Sequence, residues 1–311
     1  MQDLLVRLPN HLGDACMALP ALERLASAHG RTAVAGRPWV RELLAARPWN
    51  IVALPGNHRE DVHALRKAAA SLESPRGVLF TNSFSSALEF RRAGVPAEGY
   101  ARDARSLLLR RAHRVPTGWS EGTMHTVEYF WALALAVLGE APSPAPAPDL
   151  ARTPDAEARA RAALARAGVA GPHVVLCPAA RGMHRGRVKR WDGFARLCGA
   201  IEAAGARPIA CPGPGEEESV REAVPAATQV GPLDLQAFAA LLRASRLVVA
   251  NDSGASHLAS AVGARLLTVF GVTEPARTRP YGPGSRILGN SEGWPDYEAV
   301  AAAVAGALRA P

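Results

Sequence analysis

The sequence predicts an α/β fold made of two Rossmann-like domains facing across a cleft, and three observations predict it. Short apolar runs closed by Pro, Gly or Asn alternate with amphipathic segments, as parallel strands alternate with crossover helices. The alternation stops once, at a proline-rich stretch, and then restarts. The 311 residues, 48% of them hydrophobic, suffice for two buried cores.

DLLVRLP (3–9) reads as a buried parallel strand closed by Pro9 and Asn10. A helix with Leu19, Leu22 and Leu25 on one face follows and ends at Gly30. TAVAG (32–36), IVALPG (51–56) and GVLFTN (77–82) read as further strands with helical patterns between them, so the first domain takes residues 1–140. Residues 141–154 hold five prolines and almost no large apolar side chain, which makes a semi-rigid linker. The second domain, 155–290, alternates strands at 173–178, 207–213, 246–252 and 265–271 with helices at 191–205, 233–245 and 253–263. An Ala-rich helix in the last segment, 291–311, is free to cross back to the first domain.

Composition excludes several classes. The apolar content rules out a disordered chain. No apolar stretch approaches ~18 residues without a charge, so no helix is expected to span a bilayer. The N-terminal stretch lacks a basic leader region and reaches Asp14 early, and Cys16, Cys177, Cys198 and Cys211 lie far apart without a C-x-x-C pair. The expectation is a reduced, cytoplasmic protein without a secretory leader. The net charge of +8 points to an anionic partner: nucleic acid, acidic lipid or a phosphorylated substrate. Of the 36 basic residues only Lys67 and Lys189 are lysine, which singles out both positions.

Five motifs carry candidate chemistry. N-H-L-G-D (10–14) joins the first strand to the first helix, where open α/β sheets place ligands. Gly13 permits close backbone approach, and Asp14 is either a helix N-cap or a general base. The dinucleotide fingerprint G-x-G-x-x-G is absent. The segment 177–191 crowds Arg181, Arg185, Arg187, Lys189 and Arg190 into a basic loop, either a solvated face or a diphosphate site in which Lys189 is a compact cation. In N-D-S-G-A-S-H (251–257) a strand ends at Asp252 and a helix opens at Ser253-Gly254, with His257 one turn in; that helix start suits a phosphate. Glu216, beyond the strand at 207–213, is placed for ribose hydroxyls or for a helix dipole. Segment 100–114 combines arginines with three leucines, either an anion-binding, membrane-facing stretch or an ordinary amphipathic one.

Together these residues resemble the lipopolysaccharide heptosyltransferases of glycosyltransferase family 9, most closely the heptosyltransferase II branch. The resemblance rests on G-D-x-x-x-A-L-P at 13–20, G-Y-x-R-D-x-R-x-L-L-L at 99–109, K-R-W at 189–191, G-P-G-E at 213–216, N-D-S-G-x-x-H-L-A at 251–259 and V-F-G-V-T-E-P at 269–275. It implies a GT-B architecture and inverting transfer of a heptose from ADP-L-glycero-D-manno-heptose to the inner core of lipopolysaccharide, with no metal and no cofactor. It implies an acceptor-binding first domain holding Asn10, Arg105 and the general base Asp14, and a nucleotide-sugar-binding second domain. There Lys189 would neutralise the diphosphate, Glu216 bind ribose and Leu233 pack on adenine, and Arg181, Arg185, Asp252, Ser253, Gly254 and His257, with Gly13 from the first domain, complete the donor site. The pattern departs at Ala179, Ala180, Arg181 and Gly182, where relatives often carry a phosphate-binding Thr or Ser.

The implied partners are the sugar nucleotide, a phosphorylated Kdo-lipid A type acceptor and the inner face of the cytoplasmic membrane, with no nucleic acid. An inverting transfer needs a base on the acceptor and charge stabilisation of the leaving diphosphate. Closure about the linker would join the two and exclude water. Two rival readings stand beside this one. An epimerase-like enzyme of the same architecture would also use a nucleotide site. A basic nucleic-acid-binding protein would suit the charge, but 5% aromatics leave few stacking platforms.

Overall fold

The repeat of strand and helix builds two parallel sheets of six strands each. The computed structural model describes residues 2–179, 183–184 and 186–309. The chain divides into two units, Met1–Ala151 and Arg152–Pro311, so the boundary falls inside the stretch read as a linker.

In the first unit the strands are β1 (Leu4–Arg7), β2 (Thr32–Gly36), β3 (Asn50–Ala53), β4 (Arg76–Leu79), β5 (Ala97–Tyr100) and β6 (Arg111–His113). They lie in the order β3-β2-β1-β4-β5-β6, all parallel, with Leu4 opposite both Thr32 and Arg76. All four residues of β1 are buried, as a central strand covered on both faces requires. One core joins Leu5, Leu54, Leu65, Leu79 and Phe90.

Two features depart from the sequence reading. The first helix is two helices, Leu12–Met17 and Leu19–Ser27, meeting at Ala18. Pro20 supplies no N–H for the Cys16 carbonyl, so the first helix ends and Pro20 is tolerated in the opening turn of the second. Strand β5, AEGY, reads as polar because of Glu98. That carboxylate is nevertheless buried, held by Arg76 of β4 at 2.8 Å and His113 of β6 at 2.8 Å. Burial alone would push its pKa up, but His113 and Arg76 together hold it below the ordinary glutamate value.

The second unit contains β7 (His173–Cys177), β8 (Met183–His184), β9 (Arg187–Val188), β10 (Arg207–Ala210), β11 (Thr228–Gln229), β12 (Leu247–Asn251), β13 (Leu266–Val269) and β14 (Ser285–Leu288). Its main sheet has the order β11-β10-β7-β12-β13-β14, again all parallel, while β8 and β9 form a small antiparallel hairpin. Short strands at or next to the sheet edges, β6, β11 and β14, carry too few apolar residues to stand out in the sequence.

The core of this unit joins Val174, Leu176, Phe194, Leu197, Ile201, Val249 and Leu267. The terminal helix, Tyr297–Arg309, adds Val300, Ala303 and Val304 to this same core. The sequence left this helix free to return to the first unit; instead it packs in the second.

Trp191 enters the core where the basic segment ends, set edge-on to Phe194 with centroids 5.4 Å apart. Gly193 makes room for it: a Cβ there would lie 2.2 Å from the indole. Gly193→Ala is therefore expected to destabilise the protein by about 1–3 kcal/mol through overpacking alone, since Gly193 has an ordinary helical φ of −76°. Chemical denaturation measures it, and an unchanged midpoint would contradict this packing.

Candidate active site

In a parallel sheet every strand points its C-terminal end to the same edge, so loops from successive strands gather there. In the second unit this edge receives Leu233 after β11, Glu216 after β10, Lys189 in the segment after β7, Asp252 to His257 after β12, and Thr273 after β13.

Asp252 is the centre of the group. Its side chain is 7% exposed and accepts a hydrogen bond of 2.6 Å from the Thr273 hydroxyl. Lys189 Nζ lies 3.0 Å from Oδ2, and His257 Nε2 lies 3.7 Å from Oδ1. Burial pushes the carboxyl up, but His257, Lys189 and Thr273 outweigh it and hold it down at about 2. Asp252 is thus a fixed anion whose partners are a lysine and a histidine. The buried His257 Nδ1 has no hydrogen-bond partner among the described residues.

The helix Gly254–Ala261 starts immediately beyond, with Ser253 in extended conformation at its cap position. Ser256 Oγ accepts from the Ser253 N–H at 3.3 Å and donates to the Ser253 carbonyl at 2.8 Å, which fixes the opening turn. The helix start presents its positive dipole end beside Lys189 and His257. A lysine ammonium and a helix N-terminus at one edge suit the charge of a diphosphate.

Glu216 is half-buried at the cap position of the helix Glu217–Ala223, and its Oε2 accepts the Gly213 N–H at 3.2 Å. Leu233 is half-buried just before Asp234, whose carboxylate caps the helix Leu235–Ala244 through the Gln236 and Ala237 N–H groups, each at 2.9 Å. Arg181 and Arg185, also expected in the donor site, lie outside the described residues. Among the described residues no three His, Cys, Asp or Glu side chains form a group able to hold a metal ion.

The corresponding edge of the first unit carries Asn10, Gly13 and Asp14 after β1 and Arg105 after β5. The N-cap of the helix Leu12–Met17 is His11, so the reading of Asp14 as the cap is wrong. Asp14 is the third helical residue, half-buried, with its charge at the favourable end of the helix dipole. Buried Arg7 reaches across the same loop, donating to the Leu8 carbonyl at 2.6 Å and to Asn10 Oδ1 at 2.7 Å.

Arg105 is the largest fully buried side chain among the described residues, 1% exposed, and donates to the Thr81 carbonyl at 2.5 Å. Its Nε and Nη2 have no hydrogen-bond partner among the described residues. Burial pushes its pKa below the ordinary arginine value.

Two neighbours escaped the sequence reading. Thr273 lies in a motif that was noticed without a role being given to it, and Asn251 read as the end of a strand. Only the folded register of β12 against β7 and β13 shows what they touch.

Two parallel six-stranded units of this kind in one chain define the GT-B class of fold. Residues 49–303 match glycosyltransferase family 9 (heptosyltransferase). The chain belongs to that family and is a glycosyltransferase.

The structure resembles E. coli ADP-heptose lps heptosyltransferase II with a TM-score of 0.79 and 23% identity, over 99% of this chain and 98% of that one. E. coli heptosyltransferase WaaC with ADP gives a TM-score of 0.76 at 20% identity, over 98% of this chain and 99% of that one. The family 9 glycosyl transferase of Veillonella parvula gives 0.76 at 17%, over 93% and 86%. No curated protein sequence matches the chain significantly. No helix among the described residues is long and apolar enough to cross a membrane.

The Asp252 cluster has a measurable signature. A carboxyl lowered from 3.8 to about 2 contributes stability that is complete above 3.8 and lost as pH falls through about 2. Melts of wild type and Asp252→Asn should therefore differ by roughly 2–3 kcal/mol in the neutral range and converge over that acid window. A gap that stayed constant down to the lower limit would contradict the buried ion pair.

Proposed function

We propose that this chain transfers a heptosyl residue from an ADP-linked donor to the inner core of a lipopolysaccharide acceptor, with inversion and without a metal. The observation that carries the reading is the Lys189–Asp252–His257 group beside the start of the helix Gly254–Ala261, in a chain of the heptosyltransferase family. The choice of ADP donor and lipopolysaccharide acceptor is supported by the likeness in fold to E. coli ADP-heptose lps heptosyltransferase II and to E. coli heptosyltransferase WaaC with ADP.

In this reading the diphosphate lies against Lys189 and the helix start, with ribose at Glu216 and adenine on Leu233. The acceptor hydroxyl attacks the anomeric carbon from the face opposite the diphosphate. As the new C–O bond forms, the C–O bond to phosphate breaks and its electron pair leaves with ADP. Asp14 takes the hydroxyl proton, and Lys189 with the helix dipole balances the charge developing on the leaving group. Arg105, a buried cation whose Nε and Nη2 have no partner among the described residues, lies at the same edge as Asp14 and supports an anionic acceptor there. The net charge of +8 favours approach to a phosphorylated lipid and to the anionic membrane face that carries it. Asp14 belongs to the first unit and the donor group to the second.

Calorimetric titration with ADP, UDP and GDP tests the base assignment: ADP is expected to bind tightest, and tighter binding of UDP would overturn it. Asp14→Asn is expected to cut turnover by ~10²-fold or more, the scale of a lost general base. ADP affinity should stay unchanged in that variant, with stability altered by no more than the ~0.3–1 kcal/mol of a helix-dipole interaction. A chelator should leave wild-type turnover unchanged. Near wild-type turnover by folded Asp14→Asn would remove Asp14 from the chemistry.

A further inference from the structure

We infer that Asn251 is a positioning residue that clips both ends of the Lys189-bearing segment to the strand leading into Asp252, so that donor affinity depends on Asn251 through Lys189. The inference rests on the reading of the second unit as a diphosphate-sugar site.

The ladder between β7 and β12 ends with Cys177 opposite Ala250. Beyond it the chain leaves the sheet at Pro178 and re-enters the core at Trp191, two residues after Lys189. Both exit and entry are buried, so the Pro178 carbonyl and the Trp191 N–H each need a partner inside the protein. One side chain serves both. Asn251, 0% exposed, donates from Nδ2 to the Pro178 carbonyl at 2.7 Å and accepts the Trp191 N–H on Oδ1 at 3.1 Å.

A carboxamide places a donor and an acceptor on one planar group; a carboxylate lacks the donor and an aliphatic side chain lacks both. The next residue along the strand continues the pattern. Asp252 pairs with Lys189, two residues before Trp191, so the strand end and the segment run side by side on two successive rungs. The first rung sets the register of the second. Arg187 adds a further tie, donating to the Gly271 carbonyl at 2.8 Å and the Ser291 carbonyl at 3.0 Å, but neither acceptor belongs to β12. Asn251 itself is closed off from solvent and from any ligand. Its effect on the donor therefore passes through Lys189.

The test is a double-mutant cycle read by calorimetric titration with ADP on wild type, Lys189→Ala, Asn251→Ala and the double variant, each confirmed folded by thermal melting. Each single change is expected to weaken ADP by about tenfold, the scale of one charge-assisted phosphate contact. The double variant should bind within about twofold of Lys189→Ala, because Asn251 has nothing left to position. A purely structural role would instead multiply the two losses, and that result would overturn the inference, as would wild-type affinity in Asn251→Ala. Unchanged ADP binding in Lys189→Ala would overturn the donor-site reading and the inference with it. Should Asn251→Ala fail to fold, Asn251→Asp enters the same cycle, since it keeps the acceptor for Trp191 and loses only the donor to Pro178.

Discussion

A carboxylate buried at the end of a central strand must be compensated, and the way Asp252 is compensated organises the second unit. Left alone, its burial would favour the neutral acid. Thr273 from beyond β13, Lys189 from the segment after β7 and His257 from the following helix all converge on it. Three loops are thereby tied to one point. The cation that results is anchored yet partly exposed: the Lys189 side chain keeps 23% of its surface, against 7% for Asp252. An ammonium held on one side by a fixed anion and open on the other is suited to a second, incoming anion.

The same edge logic applies to both units, because parallel strands deliver their loops to one side. In the first unit β1 delivers Asp14 and β5 delivers Arg105, and the loop between β1 and its helix is held by the Arg7 guanidinium through Leu8 and Asn10. The two edges differ in chemistry. One offers a carboxylate at a helix start and a buried cation. The other offers the lysine and helix terminus that a diphosphate needs.

Much of this was legible in the sequence, where the physics is local. Apolar runs closed by Pro or Gly marked β1, β2, β3, β4, β7, β10, β12 and β13, and the proline-rich stretch marked the boundary between units. The rarity of lysine drew attention to Lys189 before its contact with Asp252 was visible. What stayed hidden depends on distant partners. Glu98 disguises β5, since only Arg76 and His113 make a buried glutamate tolerable. Pro20 was present to divide the first helix, but the leucine periodicity on its far side was the stronger signal. The cap alternative for Asp14 stayed open because spacing alone does not distinguish the cap from the third helical residue. The role of Asn251 could not be read without the register that sets it between Pro178 and Trp191, residues 73 and 60 positions away in the chain.

The central claim is the proposed transfer of a heptosyl residue to a lipid acceptor, and the product tests it most directly. Purified protein would be incubated with ADP-heptose and a Kdo-bearing lipid A acceptor, with and without a first heptose, and the lipid analysed by mass spectrometry. The account predicts a gain of one heptosyl residue on the lipid with release of ADP in equal amount. Release of ADP with free heptose and an unchanged lipid from either acceptor would contradict it.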